Sequence, residues 1–76
     1  MKTTRYFDEQ VLRKRSYLQR EWCARIIARP VRRELQPDGR IRHWGLGGRA
    51  LRVITLADGI TVHNASPDRD FEEEKA

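Results

Sequence analysis

Two Asp-Gly turn signals fall inside one stretch of this chain and constrain its fold more than any other feature. Residues 31–65 read VRRELQ-PDG-RIRHWG-LGGRA-LRVITL-ADG-ITVHNA. Glycine supplies the positive φ that tight hairpin turns need, and aspartate ties its own backbone two residues on. The stretch therefore predicts three or four short antiparallel strands. Gln36-Pro37-Asp38-Gly39 suits a type I turn with Gly39 in the left-handed region, giving a three-residue hairpin loop. That register sets Leu35 opposite Ile41, Glu34 opposite Arg42, Arg33 opposite His43 and Arg32 opposite Trp44. The opposed Glu34–Arg42 charges favour it. The same loop length at Ala57-Asp58-Gly59 pairs Leu56 with Ile60, Thr55 with Thr61 and Ile54 with Val62. It then pairs Val53 with His63 and Arg52 with Asn64. A two-residue Asp58-Gly59 loop would shift these pairs by one and turn His63 to the other face.

One sheet face then carries Leu35, Ile41, Ile54, Leu56, Ile60 and Val62. Arg33, His43, Arg52 and Asn64 form a polar margin to it, at the strand ends away from the turns. Trp44 falls on the opposite face beside Arg32 and Arg42. It either stacks on a base or a partner's side chain, or packs against the N-terminal segment.

Something must cover the apolar face, and the N-terminal third supplies it. Residues 1–5 read as a loose basic lead. Residues 6–29 have helical spacing: Phe7 with Val11, then Leu18, Trp22 and Ile26, with Cys23 and Ile27 beside that row. Arg13, Lys14 and Arg15 interrupt the pattern, and Ser16 with Gln19 has capping-box spacing. Two helical pieces, 6–13 and 17–28, are expected, the second closed by Pro30. The expected core is Leu18, Trp22, Ile26, Ile41, Ile54 and Val62. The fold class is α+β: one or two N-terminal helices on a three- or four-stranded antiparallel meander, in one small domain spanning 1–76.

Thirteen of the sixteen basic residues are arginine, and the net charge is +5. Arginine's planar fork matches phosphate and carboxylate, so the bias points to anion recognition. The charge is polarised. Residues 1–66 hold fourteen Lys/Arg against six Asp/Glu, whereas 67–76 form an acidic tail with two against five. That tail either lies on the basic body or extends into solvent. A single cysteine, Cys23, excludes an intramolecular disulfide and fits a cytoplasmic location. No apolar run reaches membrane-spanning length. Two histidines with no ordered carboxylates are too few for a metal site, and no cofactor is implied.

His43 and His63 are the only side chains that titrate near neutrality unperturbed. Metal-free RNA cleavage needs a base, an acid and a cation on the crowded phosphate. His43 with Arg33 and Arg52 could supply these, with His63 as second proton carrier only in the two-residue-loop register. Equally, either histidine simply fills a sheet position. Arg40, Arg42, Arg32, Trp44 and Asn64 are the candidate nucleic-acid contacts, or else a solvated face paired with carboxylates such as Glu34. Gly45, Gly47 and Gly48 lack P-loop spacing and read as a flexible connection.

The pieces ARPVRRELQPDGRIRHWG, LRVITLADGITVHNA and PDRDF resemble a group of small uncharacterised bacterial proteins with the pattern QPDGRIRxWG … LRVxTLxDGxTVHNA. The resemblance covers about three quarters of the chain. That group is distantly similar to RelE- and BrnT-type endoribonuclease toxins. The resemblance implies helices on a curved antiparallel sheet, metal-independent RNA cleavage and an acidic antitoxin-like partner. No catalytic set carries over by position, and the connection at Gly45–Arg49 is shorter than the group's pattern. The expectation is a toxin-like RNA-binding protein, possible endoribonuclease activity included. The alternative is a non-enzymatic interaction module binding protein or nucleic acid. A chain this short buries little core, so a partner or homo-oligomer would stabilise it.

Overall fold

The computed structural model describes residues 1–46 and 49–71. A π-helical turn, Phe7–Val11, runs directly into a single α-turn, α1 (Leu12–Lys14); α2 spans Arg20–Ala28. Four strands follow: β1 (Arg32–Leu35), β2 (Ile41–Leu46), β3 (Ala50–Thr55) and β4 (Val62–Pro67). They form an antiparallel meander in the order β1-β2-β3-β4, which is the α+β architecture expected. No helix among the described residues is long and apolar enough to cross a membrane.

α2 ends at Ala28, and Arg29, its non-helical cap, directly precedes Pro30, as the steric clash with a following proline requires. Its start lies later than capping-box spacing suggested. Gln19 is the extended residue before the helix and makes no side-chain cap. Leu18 and Trp22 instead donate to the carbonyls of Arg15 and Gln19 in a turn. The lead is not loose. Thr3 bridges Val62 in parallel, the Val62 amide donates to Lys2 and the Thr4 amide donates to the Val62 carbonyl, so the N-terminus lines the β4 edge.

The first hairpin has the expected pairs, Arg32–Trp44 through Leu35–Ile41, with Gly39 at φ 90°. The other hairpin departs from expectation. Thr55 faces Val62, Ile54 faces Asn64, Val53 faces Ala65 and Arg52 faces Ser66, so His63 is an extra, bulged residue. The cause lies in the turns. Asp38 accepts from the Arg40 amide. Asp58 accepts from the amides of both Ile60 and Thr61 and from the Thr61 hydroxyl. The residue in Thr61's place after the first turn is Ile41, which has no hydroxyl. Held back by Asp58, Thr61 stays in the turn: the Leu56 amide donates to its carbonyl, and the strand begins at Val62.

The inner face also differs from expectation. β2 and β3 pair through Ile41–Thr55 and His43–Val53, so Leu51, Val53 and Thr55 face the helices. Ile54 lies on the outer face, and Ile60 is exposed. The core joins Phe7, Val11, Leu18, Cys23 and Ile26 to Leu51, Val53, Val62 and Ala65, with Trp22 partly buried at its margin. α2 approaches β2 closely because Gly45 has no side chain; a Cβ there would stand 3.0 Å from Ile26 Cγ1. Gly47 and Gly48 of the expected connection lie outside the described residues.

The helices cover β2, β3 and β4. β1 is left open, all four of its residues are exposed, and Leu35 stands 71% exposed.

Candidate nucleic-acid interface

The pairing fixes which arginines share a face. On the outer face, Arg32, Trp44, Arg52 and Ser66 align across the four strands, and Glu34, Arg42, Ile54 and Asn64 form the adjacent row. The row nearer the turns is partly open. Arg42 sits 3.5 Å from Glu34. Gln36, its amide oxygen turned toward Arg42, accepts from Nε at 2.9 Å and Nη2 at 3.0 Å. Arg40 is exposed, 3.7 Å from Asp38. Exposed ion pairs like these contribute about 0–1 kcal/mol each, so a competing anion displaces the carboxylates at little cost.

The row farther from the turns is covered, but not by the N-terminal segment. The residues after β4 fold back onto it. Phe71 packs on Trp44 and Ala50 in a small second core, and Trp44 is only 3% exposed. The indole N–H donates to Asp68 Oδ2 at 2.8 Å. Asp68 Oδ1 accepts from the Phe71 amide, while the Asp68 amide donates to the Ala50 carbonyl. The Arg32 guanidinium lies 4.2 Å above the Trp44 ring and 5.9 Å from Phe71. Trp44 Nε1–H, and further the Arg52 charge, hold the Asp68 carboxyl below its ordinary pKa. Arg52 Nε is itself buried with no acceptor among the described residues.

Of the residues singled out from sequence, Arg32, Arg42, Arg52, Trp44 and Asn64 thus share one face, with Arg40 at its turn end. Arg33 and His43 are on the other. His43 is 1% exposed beneath the helices, its Nε2 lying 3.0 Å from Thr55 Oγ1 and its Nδ1 without a partner among the described residues. Burial, and then the nearby Arg33 charge, push its pKa down. The expected polar margin of Arg33, His43, Arg52 and Asn64 is therefore split between faces, because β3 is paired one residue out of the assumed alternation.

His63 sits elsewhere. Its Nδ1 lies 3.0 Å from Thr4 Oγ1 and its ring stacks on Tyr6 at 4.9 Å. Thr4 Oγ1 already accepts the Phe7 amide, so its own proton is free for Nδ1 of a neutral imidazole. Burial and then Arg40 lower the His63 pKa, which favours that neutral form. His63 therefore ties the N-terminus to the bulge in β4. Thr55 holds one imidazole and Thr4 the other, on separate parts of the molecule.

Asp68 and Phe71 were the residues that sequence reasoning missed. Their signal was an N-cap spacing, Asp68 three residues before an isolated aromatic, inside a stretch otherwise read as a solvated acidic tail. The rest of that tail, 72–76, lies outside the described residues. Among the described residues, no three His, Cys, Asp or Glu gather as metal ligands would.

No protein-family model, no curated protein and no solved structure matches the chain.

Proposed function

We propose that this protein is a non-catalytic module that binds single-stranded RNA through the outer face of its sheet. The observation that carries the reading is the alignment of Arg32, Arg42 and Arg52 on one face, with Arg40 beside them and Trp44 among them. A sheet face with arginines for phosphates suits a single strand, and Trp44, the ring for a base, lies beneath Phe71. The net charge of +5 acts in the same direction at long range. The resemblance to RelE- and BrnT-type toxins adds RNA as ligand and an acidic protein as a second partner. Cleavage is not part of the reading. The two-histidine mechanism has no support in the geometry: His43 is buried against Thr55, and His63 is held by Thr4 at the bulge.

The test is fluorescence anisotropy of a labelled oligouridylate at several salt concentrations. Wild-type protein should bind weakly, with affinity falling as salt rises. Replacing Arg40 and Arg42 together by glutamate should abolish measurable binding; milder alanine variants should flatten the log–log salt slope by about 1–2. Unchanged binding in the glutamate variant would move the polyanion surface off this face. No binding by wild type at low salt would refute the RNA reading.

A further inference from the structure

We propose that the covered row, Trp44 between Arg32 and Arg52, is the high-affinity part of the RNA site, and that the turn from Asp68 to Phe71 occupies it as an intramolecular stand-in for a nucleotide. This rests on the RNA-binding reading above and names where a base and its phosphate go.

Each group of the turn has the chemistry of a nucleotide part. Phe71 is an aromatic ring against Trp44 and near the Arg32 guanidinium, where a nucleobase would stack. Asp68 is an anion on the Trp44 indole N–H and under the influence of Arg52, where a phosphate oxygen would accept. Arg52 explains why the stand-in is incomplete. Its Nε is buried with no acceptor among the described residues, although a guanidinium satisfies such a site readily with a tetrahedral, multi-oxygen anion. A carboxylate committed to Trp44 Nε1 through one oxygen and to the Phe71 amide through the other leaves that donor unmet. A phosphate brings more oxygens.

The turn is short, and one aromatic side chain anchors it. Among the described residues, its ties to the sheet include the packing of Phe71, the Arg32 guanidinium near that ring, the Asp68 amide to Ala50 and the indole to Asp68. The open row of Arg40 and Arg42 is contiguous with the covered one, so a strand captured there reaches Trp44 once the turn lifts. The outer face thus works in two stages: exposed arginines collect the polyanion, and displacement of Asp68–Phe71 admits one base and one phosphate.

Two variants and one spectroscopic readout test this. Asp68→Asn removes the charge that faces Arg52 and leaves one oxygen for the two donors, the indole and the Phe71 amide, that Asp68 satisfies. Phe71→Ala removes the stand-in base. With an oligouridylate of about ten nucleotides, Asp68→Asn should tighten binding about threefold and Phe71→Ala about tenfold. In wild-type protein, the Trp44 indole N–H resonance, assigned with a Trp22→Phe variant, should shift as RNA is added. If Phe71→Ala does not fold, Asp68→Asn and the resonance decide. Unaltered affinity in folded variants, or a Trp44 indole unmoved at saturating RNA, overturns the proposal and leaves binding on Arg40 and Arg42 alone. No binding by wild type or either variant at low salt overturns both readings.

Discussion

Acidification from about pH 7 to about pH 5 should destabilise this protein through His43. The imidazole is buried beneath the helices, its Nε2 against Thr55 and its Nδ1 unmatched among the described residues. The neutral form with Nε2–H donating to Thr55 leaves only a lone pair unmet, whereas the imidazolium would bury a charge beside the Arg33 guanidinium. The folded pKa is therefore depressed, and the unfolded chain binds the proton first. The stability is whole above the unfolded value near 6.5 and is lost as pH falls toward the folded value. Each pKa unit of depression is worth about 1.4 kcal/mol, a large share of the about 5 kcal/mol that a small domain has in hand. His63 is depressed too and adds in the same direction. Asp58 and Asp68 do not interfere, since their lowered pKa values act only at more acid pH. Urea melts followed by circular dichroism at pH 7, 6 and 5 measure the effect. A His43→Leu variant should be less stable at pH 7, because Thr55 loses its partner, yet lose less on acidification than wild type. A midpoint that does not move between pH 7 and 5, or a His43→Leu variant that falls as steeply, would refute the reasoning.

Gly45→Ala should cost about 1–3 kcal/mol in a thermal melt, because its Cβ meets a buried Ile26 with no room to retreat. Thr61→Val should raise the Asp58 carboxyl from about 2 toward its ordinary value, as read by NMR titration, since the Thr61 hydroxyl is its strongest partner. Cys23 is fully buried, and burial pushes its thiol up to about 11 despite Arg20, so a disulfide reagent at pH 8 should modify it only as the chain unfolds.

The first hairpin was legible to the residue because Pro37-Asp38-Gly39 leaves one comfortable turn and Glu34–Arg42 one comfortable pairing. The hairpin at Asp58-Gly59 carries the same dipeptide but a different turn. A hydroxyl three residues past Asp58 added a residue to it, and pairing rules take no account of such a side chain. The connection between β2 and β3 carried no register signal either, so the facing of Ile54 against Val53 had to come from the pairing of Ile41 with Thr55. The candidate site inherited both outcomes. The pairing of Arg32 with Trp44 came correctly from the first hairpin. The supposed company of His43 with Arg52 and Asn64 rested on the unread register, and it dissolved. Asp68 and Phe71 were hidden because composition averages a single buried aromatic into an acidic run.

The arginine content of the sheet follows from how little of it the helices reach. α2 lies on β2 and β3, and the first helical turn lies on β4. β1 is left as an open edge. Such an edge invites pairing with another chain unless it is short or charged. Here it is four residues long, bounded by Pro30 and Pro37, and carries Arg32, Arg33 and Glu34. Those charges need water on one side, which β1 has. The N-terminal helices do not reach the outer face of β2 and β3, so Arg42 and Arg52 find partners along the sheet. Arg42 finds Glu34 and Gln36 across the pairing with β1. Arg52 is flanked by Trp44 and keeps one buried N–H without an acceptor among the described residues. A chain this small has little stability to spare for an unmet guanidinium donor. Its presence under the Asp68–Phe71 turn is the strongest physical reason to regard that turn as the cover of a site rather than a simple extension of the core.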